Sequence, residues 1–222
     1  MMQHAPLFIV LLPVSAALLC MLFSRIQKNL GSWIVIGSIA AAFMSAVTVL
    51  QQVIADGGKP IHYWMGNWQP PLGIEFVIDP ISGVLAVLIT FISLLGSLYS
   101  LPFVKEEGWL HIGGYYTLYG LMTVGMCGMV ITGDVFNLYV FLEVMSLSGY
   151  GLIALGGKKS MLAAFRYLLI GTIGASLYLL GVGYMYALTG TLNMADMAVR
   201  ATQFLDYPIF ALAVACFVIG FG

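Results

Sequence analysis

The chain has 222 residues, of which 61% are hydrophobic and 8% charged, with a formal net charge of −1. A water-facing domain carries about 25% charged residues, so this composition excludes an ordinary soluble protein and predicts an integral protein of the lipid bilayer. A charge so near zero gives no basis for a nucleic-acid partner.

The first apolar run covers residues 5–23. No basic residue precedes it, and Arg25 and Lys28 follow it, so it reads as a span rather than a cleaved signal. Further runs at 31–54, 80–103, 112–132, 135–156 and 161–188 each meet the roughly 20 residues needed to cross about 30 Å of hydrocarbon. A seventh run starts at Pro208 and stops with the sequence at Gly222. As a helix it reaches about 22 Å, short of a crossing. The expected fold is an all-α polytopic membrane protein of about seven transmembrane helices, the last truncated, in a single membrane domain over 1–222.

The connection 55–79 breaks the helical pattern. Its segment "KPIHYWMGNWQPPLGIEFVID" places two short aromatic and β-branched runs around "QPP", which predicts a small extramembrane β-hairpin between the second and third helices. Gly58, Pro60, Pro70 and Pro71 oppose a helix through it, and Trp64 and Trp68 are expected near the membrane interface. Connections after the first, third and fifth spans hold Arg25, Lys28, Lys105, Lys158 and Lys159, with Arg166 just inside the sixth span. The opposite set holds Lys59 and Arg200, so the first set is expected in the cytoplasm, and the hairpin, the 189–207 loop and the amino terminus outside.

Cys20, Cys127 and Cys216 lie far apart in apolar runs, and no Cys/His spacing suggests a zinc or iron–sulfur site. They read as buried free thiols. His4, His62 and His111 fall at membrane edges, which argues against a bis-histidine haem. With no phosphate-cradling loop, nucleophile elbow or dinucleotide fingerprint, no cofactor, metal or catalytic site is expected.

The anomaly is Glu143, near the middle of "GDVFNLYVFLEVMSLSGYGLIALGG". On a helix, Tyr139, Ser146 and Tyr150 fall within about 60° of it and form one polar stripe, while Asp134 points to the opposite side. A charged, unpaired carboxylate at that depth costs on the order of 3 kcal/mol or more. Glu143 therefore reads either as a proton relay or as a protonated, hydrogen-bonded lock between helices, and the hydroxyl stripe suits both. Arg166 is the nearest candidate cation, expected about one turn from the level of Glu143, where it either pairs with the path or snorkels to the interface. In "IGTIGASLYLLGVG", Gly171 and Ala175 stand at small-xxx-small spacing and suggest close helix packing.

The stretches "LGIEFVIDPISGVLAVLITFISLLGSLYS", "GDVFNLYVFLEVMSLSGYGLIALGG" and "AAFRYLLIGTIGASLYLLGVGYMYALTGTLNMADMA" resemble the antiporter-like subunits of Mrp-type sodium/proton antiporters, complex I and membrane-bound hydrogenases. The likeness covers most of residues 64–222 and is greatest for the Mrp D subunit. It implies a fourteen-helix fold built from two inverted five-helix repeats, of which this chain would supply the amino-terminal half. It also implies an ion path through the glutamate at Glu143, coupled to lysines on later spans. The family's usual lysine before "YLL" is Arg166 here, a group that keeps its charge permanently. The sequence stops before the seventh-span lysine, so the expected partners are other membrane subunits of an antiporter, hydrogenase or complex I-like assembly, and a separate chain that supplies the remaining half. The expected function is proton or sodium/proton translocation, with electron chemistry left to other chains. The alternative is a non-conducting scaffold.

Overall fold

The computed structural model describes residues 4–27, 29–71, 73–104 and 109–221. Lys28 and Lys105, two of the basic residues behind the expected orientation, lie outside the described residues. The helices are α1 (Ala5–Ile26), α2 (Leu30–Ala55), α3 (Pro80–Val104), α4 (Trp109–Ile131), α5 (Val135–Ala154), α6 (Lys158–Thr189), α7 (Met194–Ala201) and α8 (Pro208–Phe221). Among the described residues the six from α1 to α6 are long and apolar enough to cross a membrane, with α8 a shorter apolar helix. The chain is an integral membrane protein, with its spans where the apolar runs place them.

Local chemistry starts and stops these helices. Asp79 Oδ1 accepts from the Ser82 amide at 2.7 Å and the Asp79 amide donates to Ser82 Oγ at 2.8 Å, a reciprocal cap that opens α3. The Ser82 amide holds the Asp79 carboxyl below the usual carboxylate range. At the far end of α6, Gly190 takes the left-handed conformation, φ 69°, that closes a helix without a Cβ penalty. The amphipathic helix α7 lies in a segment expected only as a loop. The sequence does carry a signal for its start: Asn193 caps it by accepting from the Asp196 amide at 3.1 Å, and Arg200 Nε donates to Asp196 Oδ1 at 2.9 Å one turn later.

The hairpin forms as expected, with β1 (Ile61–Trp64) antiparallel to β2 (Glu75–Ile78) and Trp64 opposite Glu75. One 3-10 turn, Met65–Asn67, sits between the strands. The hairpin is not a detached ornament. Phe76 and Ile78 of β2 are fully buried and join Ile9, Val53, Val124, Cys127 and Ile131 in one apolar core. Burial of a large apolar side chain is worth about 1.5–3 kcal/mol, so β2 anchors the extramembrane segment to the bundle.

Helix α4 packs against α1, α3 and α5, and α5 continues to α6, which packs along α8. The last turns of α1, α3 and α5 meet the first turns of α4, through Cys20 and Gly113, Ser100 and Tyr116, and Gly151 and Leu118, so they share one end of the bundle. The hairpin, the α4–α5 turn and the α6–α7 loop share the other. Cys20, Cys127 and Cys216 are buried free thiols, as the apolar runs around them led us to expect.

The α4–α5 contact depends on glycine. A Cβ on Gly125 would stand 2.6 Å from the Met145 backbone nitrogen and 2.7 Å from the Phe141 carbonyl oxygen, and one on Gly128 would enter the Phe141 ring. A Cβ on Gly114 of the same helix meets nothing within 4 Å. Gly125→Val should therefore destabilise the folded protein by about 1–3 kcal/mol through overpacking. Gly114→Ala should not destabilise it, since the added Cβ meets nothing and alanine favours a helix over glycine, and thermal melts of the two variants in detergent measure the contrast.

Candidate functional site

Asp134 starts the helix that carries Glu143. Its Oδ1 accepts from the Asn137 amide at 2.7 Å, and Asn137 Nδ2 donates to Thr132 Oγ1 at 3.0 Å. Burial pushes the Asp134 carboxyl above the usual range, against the downward pull of the Asn137 and Phe136 amides. Beyond this cap, α5 offers two faces. Phe141 and Met145 enter the glycine gaps of α4, and Glu143 lies roughly opposite both on the helix. Its side chain is partly exposed in this chain, beside the face that meets α6. Among the described residues the close contacts between basic and acidic side chains are His62–Glu75 and Arg200–Asp196, and Glu143 makes neither such a contact nor a side-chain hydrogen bond.

The residues of the expected stripe have different surroundings. Tyr139 stacks on Tyr178 of α6, ring centroids 6.4 Å apart and planes within 7°, while the Tyr178 hydroxyl donates to the Val135 carbonyl at 3.0 Å. Tyr150 is buried, meets Tyr167 edge-on at 4.9 Å and lays its hydroxyl over Gly171, where a Cβ would collide with it. Ser146 and Tyr150 line a cleft of about 430 Å³ between α5, α6 and α8, together with Tyr167, Gly171 and Phe221. Gly171 thus has the close-packing use its spacing suggested, against a phenol rather than a helix backbone.

Arg166 stands apart from this group. It is exposed on α6, between exposed Phe165 and Tyr167. Because Tyr150 meets Tyr167 and Gly171, Arg166 lies at or beyond the level of Tyr150, about two turns or 10 Å along the axis from Glu143. The expected separation was one turn. The difference arises because aromatic packing, rather than the position of the Gly156–Gly157 turn, sets the register of the α5–α6 pair.

A polar node at the hairpin end was not singled out from the sequence. Glu75 is 6% exposed. Its Oε1 is 2.6 Å from His62 Nδ1 and accepts from Trp64 Nε1 at 3.1 Å, and its Oε2 accepts from Asn193 Nδ2 at 2.8 Å. The Glu75 carbonyl accepts from the Gly133 amide at 2.9 Å, an approach that leaves room only for glycine, since a Cβ there would lie 2.7 Å from Val77 Cγ2. Single antiparallel bridges join Phe76 to Thr132 and Asp134 to Asn193, so the hairpin, the α4–α5 turn and the α6–α7 loop form one hydrogen-bonded patch. Trp64, expected to serve the membrane interface, turns its indole N–H inward to this node. The period-2 alternation that puts His62 and Trp64 on one face of β1 was a signal for the node. The link to Asn193, far along the chain, had none.

Six apolar helices long enough to cross a membrane, an ionisable carboxylate within α5 and a hydrogen-bonded hairpin at one end define the class, a polytopic helical membrane protein. Residues 132–222 match the family described as NADH:quinone oxidoreductase/Mrp antiporter, transmembrane, which bears out the resemblance read from the sequence. Over its whole length the chain is 43% identical to the N subunit of the NADH-quinone oxidoreductase of Desulforudis audaxviator and 30% identical to the D subunit of the Na(+)/H(+) antiporter of Alkalihalophilus pseudofirmus, covering 44% of each. Among solved structures, a chain of the membrane-bound sulfane sulfur reductase, an archaeal respiratory membrane complex, superposes with TM-score 0.90 at 31% identity, over 98% of this chain and 44% of that one. The chain therefore spans less than half the length of these relatives.

If Asp134 acts as the cap of α5, Asp134→Ala should cost about 0.5–2 kcal/mol of stability, whereas Asp134→Asn, which caps as well, should cost far less. Thermal unfolding of the purified variants checks both.

Proposed function

We propose that the chain is the amino-terminal part of an antiporter-like subunit that moves protons, or sodium against protons, within a multisubunit membrane complex. A mid-helix carboxylate carries this reading: Glu143 stands on α5 without an ionic or hydrogen-bonding partner among the described residues, in a chain related along its length to antiporter subunits. Burial away from water penalises the charged form and a passing cation restores it, so such a group can load and release a proton. Tyr139, Ser146 and Tyr150 would line the path and offer hydroxyls to a water chain. Arg166 would act as a fixed charge toward one end of that path rather than as a proton carrier.

The rest of the machine is inferred from the same relatives. The single membrane domain would complete a fourteen-helix subunit with segments supplied beyond Gly222, either in the same polypeptide or in a separate chain. Neighbouring membrane subunits would supply the coupling, and any redox chemistry of the parent complex would reside in them. The setting is the prokaryotic inner membrane. The hairpin end would face outward, because Arg25, Lys158 and Lys159 gather at the opposite end.

Glu143→Gln keeps size and hydrogen-bonding capacity but cannot ionise at working pH. In the complete complex it should assemble normally and lose most ion-coupled transport, while Glu143→Asp should retain part of it. Transport in membrane vesicles, normalised to assembled complex on a native gel, reads the effect. Wild-type transport in assembled Glu143→Gln would leave the carboxylate a structural role only.

Orientation has its own test. Single cysteines at Lys59 and Lys158, in a background without Cys20, Cys127 and Cys216, should differ toward an impermeant maleimide added to sealed cells. Position 59 should react and position 158 should not; the reverse pattern would invert the topology.

A further inference from the structure

The node at the hairpin end has a titratable face that the path on α5 does not use. The His62 side chain is half exposed, at 50%, whereas the Glu75 side chain it touches is 8% exposed. A cavity of about 280 Å³ opens beside the pair, bordered by Asp79, Ser82, Thr132 and Asn193. A second, of about 470 Å³, lies on the other side of the imidazole, bordered by His4, Tyr63 and Asn67. Each is roomy enough for several waters. Among the described residues, the titratable groups that share these cavities with His62 are Glu75 on β2, Asp79 at the start of α3, Tyr63 on β1 and His4 before α1. His4 is already engaged, its Nδ1 3.0 Å from the Tyr63 hydroxyl, and Asp79 is committed to its cap on Ser82. Glu75 is the group in direct contact with the His62 ring.

We propose that His62 and Glu75 form a proton-binding clasp that sets how firmly the hairpin holds the starting end of α5. With Glu75 ionised, a neutral His62 donates its Nδ1–H to Oε1. A proton taken from water at Nε2 turns the same contact into an imidazolium–carboxylate bond, and no other covalent bond changes. Hydrogen bonds between charged partners are roughly twice as strong as neutral ones, and imidazole changes charge between about pH 5 and 8. The effect spreads because Glu75 is shared: its other oxygen holds Asn193, and its carbonyl holds the Gly133 amide, whose own carbonyl accepts from the Met194 amide at 2.8 Å. The Val135 amide, the first of α5, donates to the Leu192 carbonyl at 3.0 Å within the same patch. Acid at this end therefore tightens the clasp, and alkali loosens the frame around the helix that carries Glu143.

Amide hydrogen exchange on the purified complete complex tests the clasp without any transport measurement, so its outcome is separate from that of the ion path. After correction for intrinsic exchange chemistry, segments 132–135 and 191–194 should be about 5-fold more protected at about pH 6 than at about pH 8, the factor expected when a donor in the patch gains charge. The α5–α6 turn, residues 155–157, at the opposite end serves as the reference and should show no change. His62→Asn keeps a side-chain N–H near the Nδ1 position but cannot titrate, and it should show equal protection at both pH values. Glu75→Gln keeps a hydrogen-bonding group of the same size without the charge, and it should abolish the pH effect even if His62→Asn fails to assemble. A wild-type complex with no pH-dependent protection of these segments, or either variant retaining it, would overturn the clasp.

Discussion

Hydrocarbon offers no hydrogen-bond partner to a backbone amide or carbonyl, and this constraint orders the molecule from one end to the other. Within the spans every segment is helical, so the main chain satisfies itself. Irregular backbone is confined to the ends, where water or other protein must take over. At the hairpin end the partner is protein: β2, the α4–α5 turn and the α6–α7 loop satisfy one another in a small antiparallel patch. Phe76 and Ile78 then anchor that patch in the core between α2 and α4. Hydrogen bonds and buried side chains thus hold the loops around the start of α5 to the bundle.

The same scarcity of partners gives the two carboxylates opposite characters. Glu75 is surrounded by donors, with His62, Trp64 and Asn193 on its two oxygens, and it acts as a structural hub. Glu143 has no such shell among the described residues, and the α5 face opposite it is the one closed by α4. Three hydrogen-bond partners hold the Glu75 side chain in one place, whereas none among the described residues holds that of Glu143.

Much of this is legible in the residues alone. Hydrophobicity over about 20 positions fixes a span because bilayer thickness and helix rise leave little choice, and the spans fall where the runs place them. The hairpin is legible from "QPP" between two β-forming runs. The short helix α7 escapes although Asn193 and Asp196 carry a capping signal, because an eight-residue amphipathic helix is too brief for a span-length window. Glu143 is legible because a lone charge in an apolar run has a large energetic cost. Glu75 is not, because a charge in a polar loop ordinarily costs nothing.

Composition and periodicity by themselves determined that the chain lies in a membrane, how many times it turns back, and which carboxylate sits in the wrong solvent. Those properties depend on the free energy of transferring single residues or single helices, which neighbours in sequence already specify. Only the tertiary structure decided that Arg166 stands two turns rather than one from Glu143, that Tyr150 rests on Gly171, and that Glu75 joins three loops through Asn193. Each of these depends on the register between packed elements, and register is set by the shapes of side chains from distant parts of the chain meeting at atomic contact.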